Sequence, residues 1–228
     1  GLSDTQIAFL VSLTGLMGIS QLLSYFLTRR AQDKRRMMVI LGCCEITLVS
    51  LLAVAGLKLP PAYRFPGIAA LLAAGLAFGH AVSPAWNSWF SNIVPSEIRS
   101  TYIGRRMLII TGVGMAYLFL ASRWLDVAPK PLGFLPIFIL GWFGGVAGYM
   151  VAARTPYPRI AEQTASPGHA LWRPLRERAY LRLCLFLLAW AGASMFAGAF
   201  YSIYMLRHLK LSYSLVAVFT NITLLTTM

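Results

Sequence analysis

Few residues in this chain are placed to do chemistry, and all of them sit in apolar surroundings. Glu45 is a lone acid in a long apolar stretch, about 12 Å along a helix from Met37 by rise per residue. A bare carboxylate at that depth is unfavourable, so it should be protonated or paired, with Arg105 or Arg106 as the reachable cations. The plainer reading of Glu45 is a structural buttress; the functional one is proton handling or substrate binding. His80, Pro84 and Asn87 follow an i, i+4, i+7 rhythm and share a helical face. Pro84 cannot donate to the His80 carbonyl, leaving an irregular backbone tolerated only in a protein interior or a wet cavity. His80 is therefore either part of a substrate path or a satisfied packing histidine. The expectation is that His80 and Asn87 face a polar cavity, while Trp86 points away or sits at its rim. Trp86 and Trp89 fit interface anchors, or ring surfaces for an organic substrate. Further along, Trp190, Ser194 and Tyr201 form a second stripe, with Tyr204 close by. That stripe either seals helices together or contacts a ligand.

Several chemistries are excluded at this stage. No HExxH, Walker or GxGxxG pattern is present. His80, His169 and His208 are scattered, so no metal site and no cofactor are expected, and the chain does not read as an enzyme. Cys43, Cys44 and Cys184 make no disulfide framework and read as small hydrophobes. Asn221-Ile-Thr matches a glycosylation pattern but lies inside an apolar stretch.

The elements that must hold these residues are long apolar helices. The 228 residues are 58% hydrophobic and only 12% charged, too few charges to clothe a soluble domain of this size. Seven stretches approach the roughly 20 apolar residues needed to cross a bilayer: 5–28, 37–57, 65–94, 107–122, 132–153, 183–206 and 211–228. The fourth is short unless Arg123 snorkels and Tyr102 to Arg106 form its first turns. The net charge of +13 would otherwise point to nucleic acid, but the basic residues fall in bursts between apolar runs. If the chain alternates sides, fourteen Lys and Arg lie on one face of the membrane and six on the other. The richer side should be cytoplasmic, so the first segment enters from outside. The loop 154–182, rich in Pro and Arg, divides 1–153, with five segments, from 183–228, with two. Gly1 and the apolar final segment are expected to be internal points of a longer protein.

Two stretches carry a family resemblance. Residues 84–106, PAWNSWFSNIVPSEIRSTYIGRR, resemble the fourth helix, cytoplasmic loop and fifth-helix start of a group of bacterial major facilitator superfamily (MFS) permeases. The opening GLSDTQIAFLVSLTGLMGISQLLSYFLTRR resembles their second helix and the basic loop after it. The resemblance implies an all-α polytopic bundle in which the seven segments are helices two to eight of about twelve. It also implies that 154–182 is the central cytoplasmic loop, and that the third and sixth segments line the cavity. Where the family's motif between its second and third helices carries glycines and an aspartate, this chain has Ser24, Thr28 and Gln32, while Arg29 keeps its basic position and Lys34, Arg35 and Arg36 follow. By resemblance, Arg29, Arg35, Arg36, Arg99, Arg105 and Arg106 lock cytoplasmic helix ends, with Glu97 and Asp33 as acidic partners.

The function this implies is secondary transport of a small organic solute by alternating access, with a proton or cation as the coupling ion. The expected partners are the solute and the lipid bilayer, with no nucleic acid, and the full-length protein is expected to be a monomer in a bacterial inner membrane. A seven-helix receptor or signalling protein is the alternative, and a membrane-embedded enzyme a third.

Overall fold

In a computed structural model of the chain, residues 2–22, 24, 27, 33–129, 131–155 and 176–226 are described, apart from the side chains of 91, 92, 193–200, 202 and 226. The described residues are helical, with no strand among them. The helices are α1 (Asp4–Leu16), α2 (Lys34–Lys58), α3 (Pro61–Ile93), α4 (Arg99–Val127), α5 (Phe134–Arg154), α6 (Arg178–Arg207) and α7 (Tyr213–Thr226), and a 3-10 turn, Met17–Ser20, follows α1.

Local chemistry fixes most of the ends. Ser3 and Gln6 form a reciprocal capping box at the start of α1. The Asp33 carboxylate accepts from the Arg36 amide at 3.0 Å and starts α2. Pro60 and Pro61 stop α2 and open α3, Pro95 closes α3, and Pro129 closes α4. Pro84 lies inside α3 without ending it.

Four helices are long and apolar enough to cross a bilayer: Lys34–Lys58, Pro61–Phe90, Arg99–Val127 and Phe134–Arg154. Their apolar residues face outward, as lipid-facing helices require: Ile109, Val113 and Leu120 of α4 are 65–67% exposed. This is the architecture of a multi-pass helical membrane protein. The first expected segment, 5–28, does not run as one regular helix, because the chain tightens into the 3-10 turn after Leu16. The fourth is longer than 107–122 at both ends, reaching from Arg99 to Val127.

Two compact units emerge: Gly1–Pro158 with Ser212–Met228, and Arg159–Leu211. In the first, α2 packs on α3 and on α5, α1 and the 3-10 turn pack on α3, and α4 pairs with α7. Helix α7 thus groups with the elements of 1–153 rather than with the segment 183–206 that precedes it. Glycines bring the helices close: the Tyr149 ring of α5 lies on Gly42 of α2, and Ile46 lies on Gly145. At one end of the bundle, Met38, Val82, Ala85, Trp89 and Ala152 form a buried cluster, with Met37, Leu41 and Trp86 against it. In the second unit α6 supplies one long helix, ended by Arg207 and followed by Lys210 in the left-handed region at φ 53°.

Candidate functional site

The site grows from a close approach of α2 and α3. Gly75 and Gly79 of α3 have no side chains to hold α2 off, and Gly75 meets Val49, Leu48 and the Glu45 carbonyl. One turn on, the Glu45 carboxylate lies directly over Gly79, in the space a side chain there would occupy. It is half-buried and electrostatically coupled to His80, the neighbour of that glycine. Tyr149 of α5, seated on Gly42, also feels the Glu45 charge. Arg106 does not meet Glu45; its guanidinium lies over the Phe90 ring, 5.3 Å from the centroid.

His80 connects this pair to the break after α1. Its Nε2 lies 3.3 Å from the Thr14 carbonyl, and its Nδ1 lies 3.5 Å from the Gln21 amide nitrogen. A neutral ring with its proton on Nε2 donates to Thr14 and accepts from Gln21, so one tautomer satisfies both contacts. The Thr14 carbonyl is in the last turn of α1, where carbonyls lose their in-helix partners. Ser20, buried in the 3-10 turn, adds a bond from its hydroxyl to the Ala77 carbonyl at 3.0 Å. The irregular segment is thereby stitched to α3.

Two cavities flank Glu45. The first, about 350 Å³, is lined by Glu45, Val49 and Ser50 of α2, Tyr117 of α4, and Ile137 and Phe138 of α5. The Tyr117 hydroxyl donates to the Ile137 carbonyl at 2.7 Å. The second, about 420 Å³, lies among α2, α3 and α5, with Gly79, Val82, Ser83, Trp86 and Tyr149 in its wall. Ile46 belongs to both walls. The α2–α5 seam is also held by a relay: Trp142 Nε1 donates to Thr47 Oγ1 at 3.0 Å, and that hydroxyl donates to the Cys43 carbonyl at 2.7 Å.

The face of α3 turned to the second cavity is Gly79, Val82, Ser83 and Trp86, another i, i+3, i+4, i+7 set. Neither His80 nor Asn87 lines it; Asn87 and Pro84 are exposed, and Trp86 is in the wall. Trp86 meets Tyr149 edge-on at 6.5 Å and Trp89 at 4.9 Å, and Trp89 is buried. On α6, Trp190 is exposed and stacks on Phe186, and Tyr201 is exposed, while the Ser194 side chain lies outside the described residues.

Two of the basic residues close helix ends at the Met38–Trp89 end of the bundle. Arg35 Nη1 donates to the Thr155 carbonyl, just past α5, at 3.4 Å. Arg99 donates through Nε and Nη2 to the Val94 carbonyl, just past α3, at 3.4 and 3.2 Å. Each cation sits at the negative pole of another helix. Arg105 and Arg36 are exposed, and Arg29 lies outside the described residues, as do Thr28, Gln32 and most of 154–182. Asp33 caps α2; Ser96 donates to Glu97 at 2.7 Å and, with the charge of Arg99 nearby, holds its carboxyl below the usual carboxylate range.

Sequence reasoning missed four contributors. Gly79 and Gly42 carry no chemistry of their own, and nothing in their spacing says which side chain lies on them. Tyr117 and Tyr149 are ordinary aromatic residues of apolar segments until the fold turns them toward Glu45. Among the described residues no cluster of His, Cys, Asp and Glu could hold a metal ion. No family model, curated protein or solved structure matches the chain.

Proposed function

We propose that the chain is part of a secondary transporter of the major facilitator type, moving a small organic solute by alternating access. The observation that carries the reading is Glu45: an acid within a membrane-length helix, seated in the bundle on Gly79 and lining a cavity. Ionisable groups are kept at such depth where a pathway or a proton relay uses them. The tightening into a 3-10 turn at Met17–Ser20, tied by Ser20 to the Ala77 carbonyl, supports the same reading, since such a turn inside a membrane helix often marks a hinge. The resemblance of 84–106 supplies the family. The bonds of Arg35 and Arg99 to neighbouring helix ends fit a locking role for two of the basic residues.

In this reading no bond of the solute is made or broken. The protein resides in a bacterial cytoplasmic membrane, with the arginine-rich ends inside. The test is uptake of a solute panel by proteoliposomes holding the full-length protein, with and without an imposed proton gradient. Saturable uptake of a solute above protein-free liposomes, abolished by Glu45→Gln, is expected. Uptake indistinguishable from bare liposomes for every solute would overturn the reading.

A further inference from the structure

The helix seams of this bundle are built in two ways. Where α2 meets α3 and α5, glycines seat side chains of the neighbouring helix: Gly79 takes Glu45, Gly42 takes Tyr149 and Gly145 takes Ile46. The α4–α7 seam has no such seats, since no described atom lies within 4 Å of where a side chain on Gly104, Gly112 or Gly114 would begin. Polar bonds join it instead. At one end the exposed Asp126 carboxylate closes on the first turn of α7, accepting from the amides of Tyr213 and Ser214 and from the Ser214 hydroxyl. Near the middle of α4, Asn221 Nδ2 donates to the Met115 carbonyl at 3.3 Å, while Asn221 Oδ1 is buried with no hydrogen-bond partner among the described residues. The buried residues of α4, Ser122 and Leu125, lie toward the Asp126 end, as do Val216 and Ala217 of α7.

An orphan acceptor in an apolar seam is costly, and water satisfies it once the helices separate. An exposed cap contributes only modestly to stability, so it can be released and remade. Glycine seats are the opposite, because side chains lifted off them lose their packing outright. The α4–α7 seam also joins the segments before the loop 154–182 to those after it. We propose that this seam parts when the protein changes state, and that Asp126, closed on the first turn of α7, is the latch that holds its outer end shut. Asp126 lies at the other end of α4 from Arg99, which is the outer end in the orientation proposed above. Phe134 of α5 meets the Tyr213 ring edge-on at 6.4 Å, so closure at Asp126 also seats α7 on α5. The latch regulates the transport cycle proposed above and rests on that reading.

The test uses the full-length protein in proteoliposomes, with Cys43, Cys44 and Cys184 replaced by alanine. Asp126→Cys with Ser214→Cys puts two thiols where the carboxylate and the hydroxyl meet. Oxidation to the disulfide should stop uptake and reduction should restore it, so the protein is its own control. Undiminished uptake by the cross-linked protein overturns the inference. A second readout needs no solute: the rate at which a water-soluble maleimide labels Asn221→Cys. Adding Asp126→Ala should raise that rate roughly five-fold, the shift expected from losing one helix cap. Labelling of Val49→Cys, beside Gly75 in the α2–α3 seam, should stay unchanged. An Asn221→Cys rate indifferent to Asp126→Ala overturns the latch, as does an equal rise at Val49→Cys, which would mean general loosening. Labelling that responds to Asp126 without uptake of any solute would sink transport and leave the latch. Uptake with labelling indifferent to Asp126 would do the reverse.

Discussion

The carboxylate of Glu45 lies where a side chain on Gly79 would have to be. The acid of one membrane-length helix is therefore housed by a missing side chain on the next. The same contact brings Glu45 beside His80, and through His80 to the broken end of α1.

Gly79 and Gly42 should respond differently to an added methyl group. At Gly79 the obstacle is the far end of the flexible Glu45 side chain, which can swing aside; at Gly42 it is the rigid ring of Tyr149. Gly42→Ala should cost about 1–3 kcal/mol as an overpacked core does, while Gly79→Ala should cost less and alter function more. Thermal unfolding in detergent, set beside solute uptake, checks both; a Gly79→Ala protein with unchanged uptake would contradict the assignment of Glu45.

The second relationship concerns α4 and α7. The Asp126 carboxylate accepts from the amides of Tyr213 at 2.8 Å and Ser214 at 3.1 Å, and from the Ser214 hydroxyl. It caps a helix that begins far along the chain, as an N-terminal acid should. Asp126→Ala should destabilise the α4–α7 pair by about 1 kcal/mol, with Asp126→Asn recovering part of the loss. A cysteine pair placed across α4 and α7 reads this as a lower cross-linking yield in the alanine variant.

Arg99 and Arg106 fasten the start of α4 to the end of α3 by separate means, hydrogen bonds to Val94 and a cation over Phe90. Arg99→Ala should loosen the 94–99 turn by about 1 kcal/mol, seen as faster proteolysis there. Arg106→Ala should cost roughly 0.5–1 kcal/mol. Because the contacts are separate, the double variant should lie close to the sum.

The turn between α3 and α4 also has a pH response. The hydrogen bond from Ser96 keeps the Glu97 carboxyl below its ordinary range. The stabilisation is therefore present above the ordinary carboxylate pKa and is lost as pH falls through the lowered folded value. Ser96→Ala should return the Glu97 titration toward ordinary glutamate, measured by the carboxyl carbon chemical shift; an unmoved midpoint would show that the bond is not formed.

The α3 sequence offers two helical faces a single residue apart. One is His80, Pro84 and Asn87; the other is Gly79, Val82, Ser83 and Trp86. Both have helical spacing, and one residue is only about 100° of rotation. Periodicity cannot choose between them. The choice comes from Gly75 and Gly79, which press α3 against α2 and leave Asn87 facing outward.

The sequence by itself determines that the chain is helical, that its helices suit a bilayer, and where several of them end. Those are properties of composition, apolar run length and proline position, each readable within one segment. It also marks Glu45 as anomalous, because a charge in an apolar run is costly wherever the run packs. The tertiary structure alone decides what receives that charge. The seat on Gly79, the Tyr117 wall, the His80 tie to Thr14 and the Asp126 cap on α7 each join residues of different helices. Their partners depend on helix rotation and closeness of approach, which small residues set and no single segment encodes.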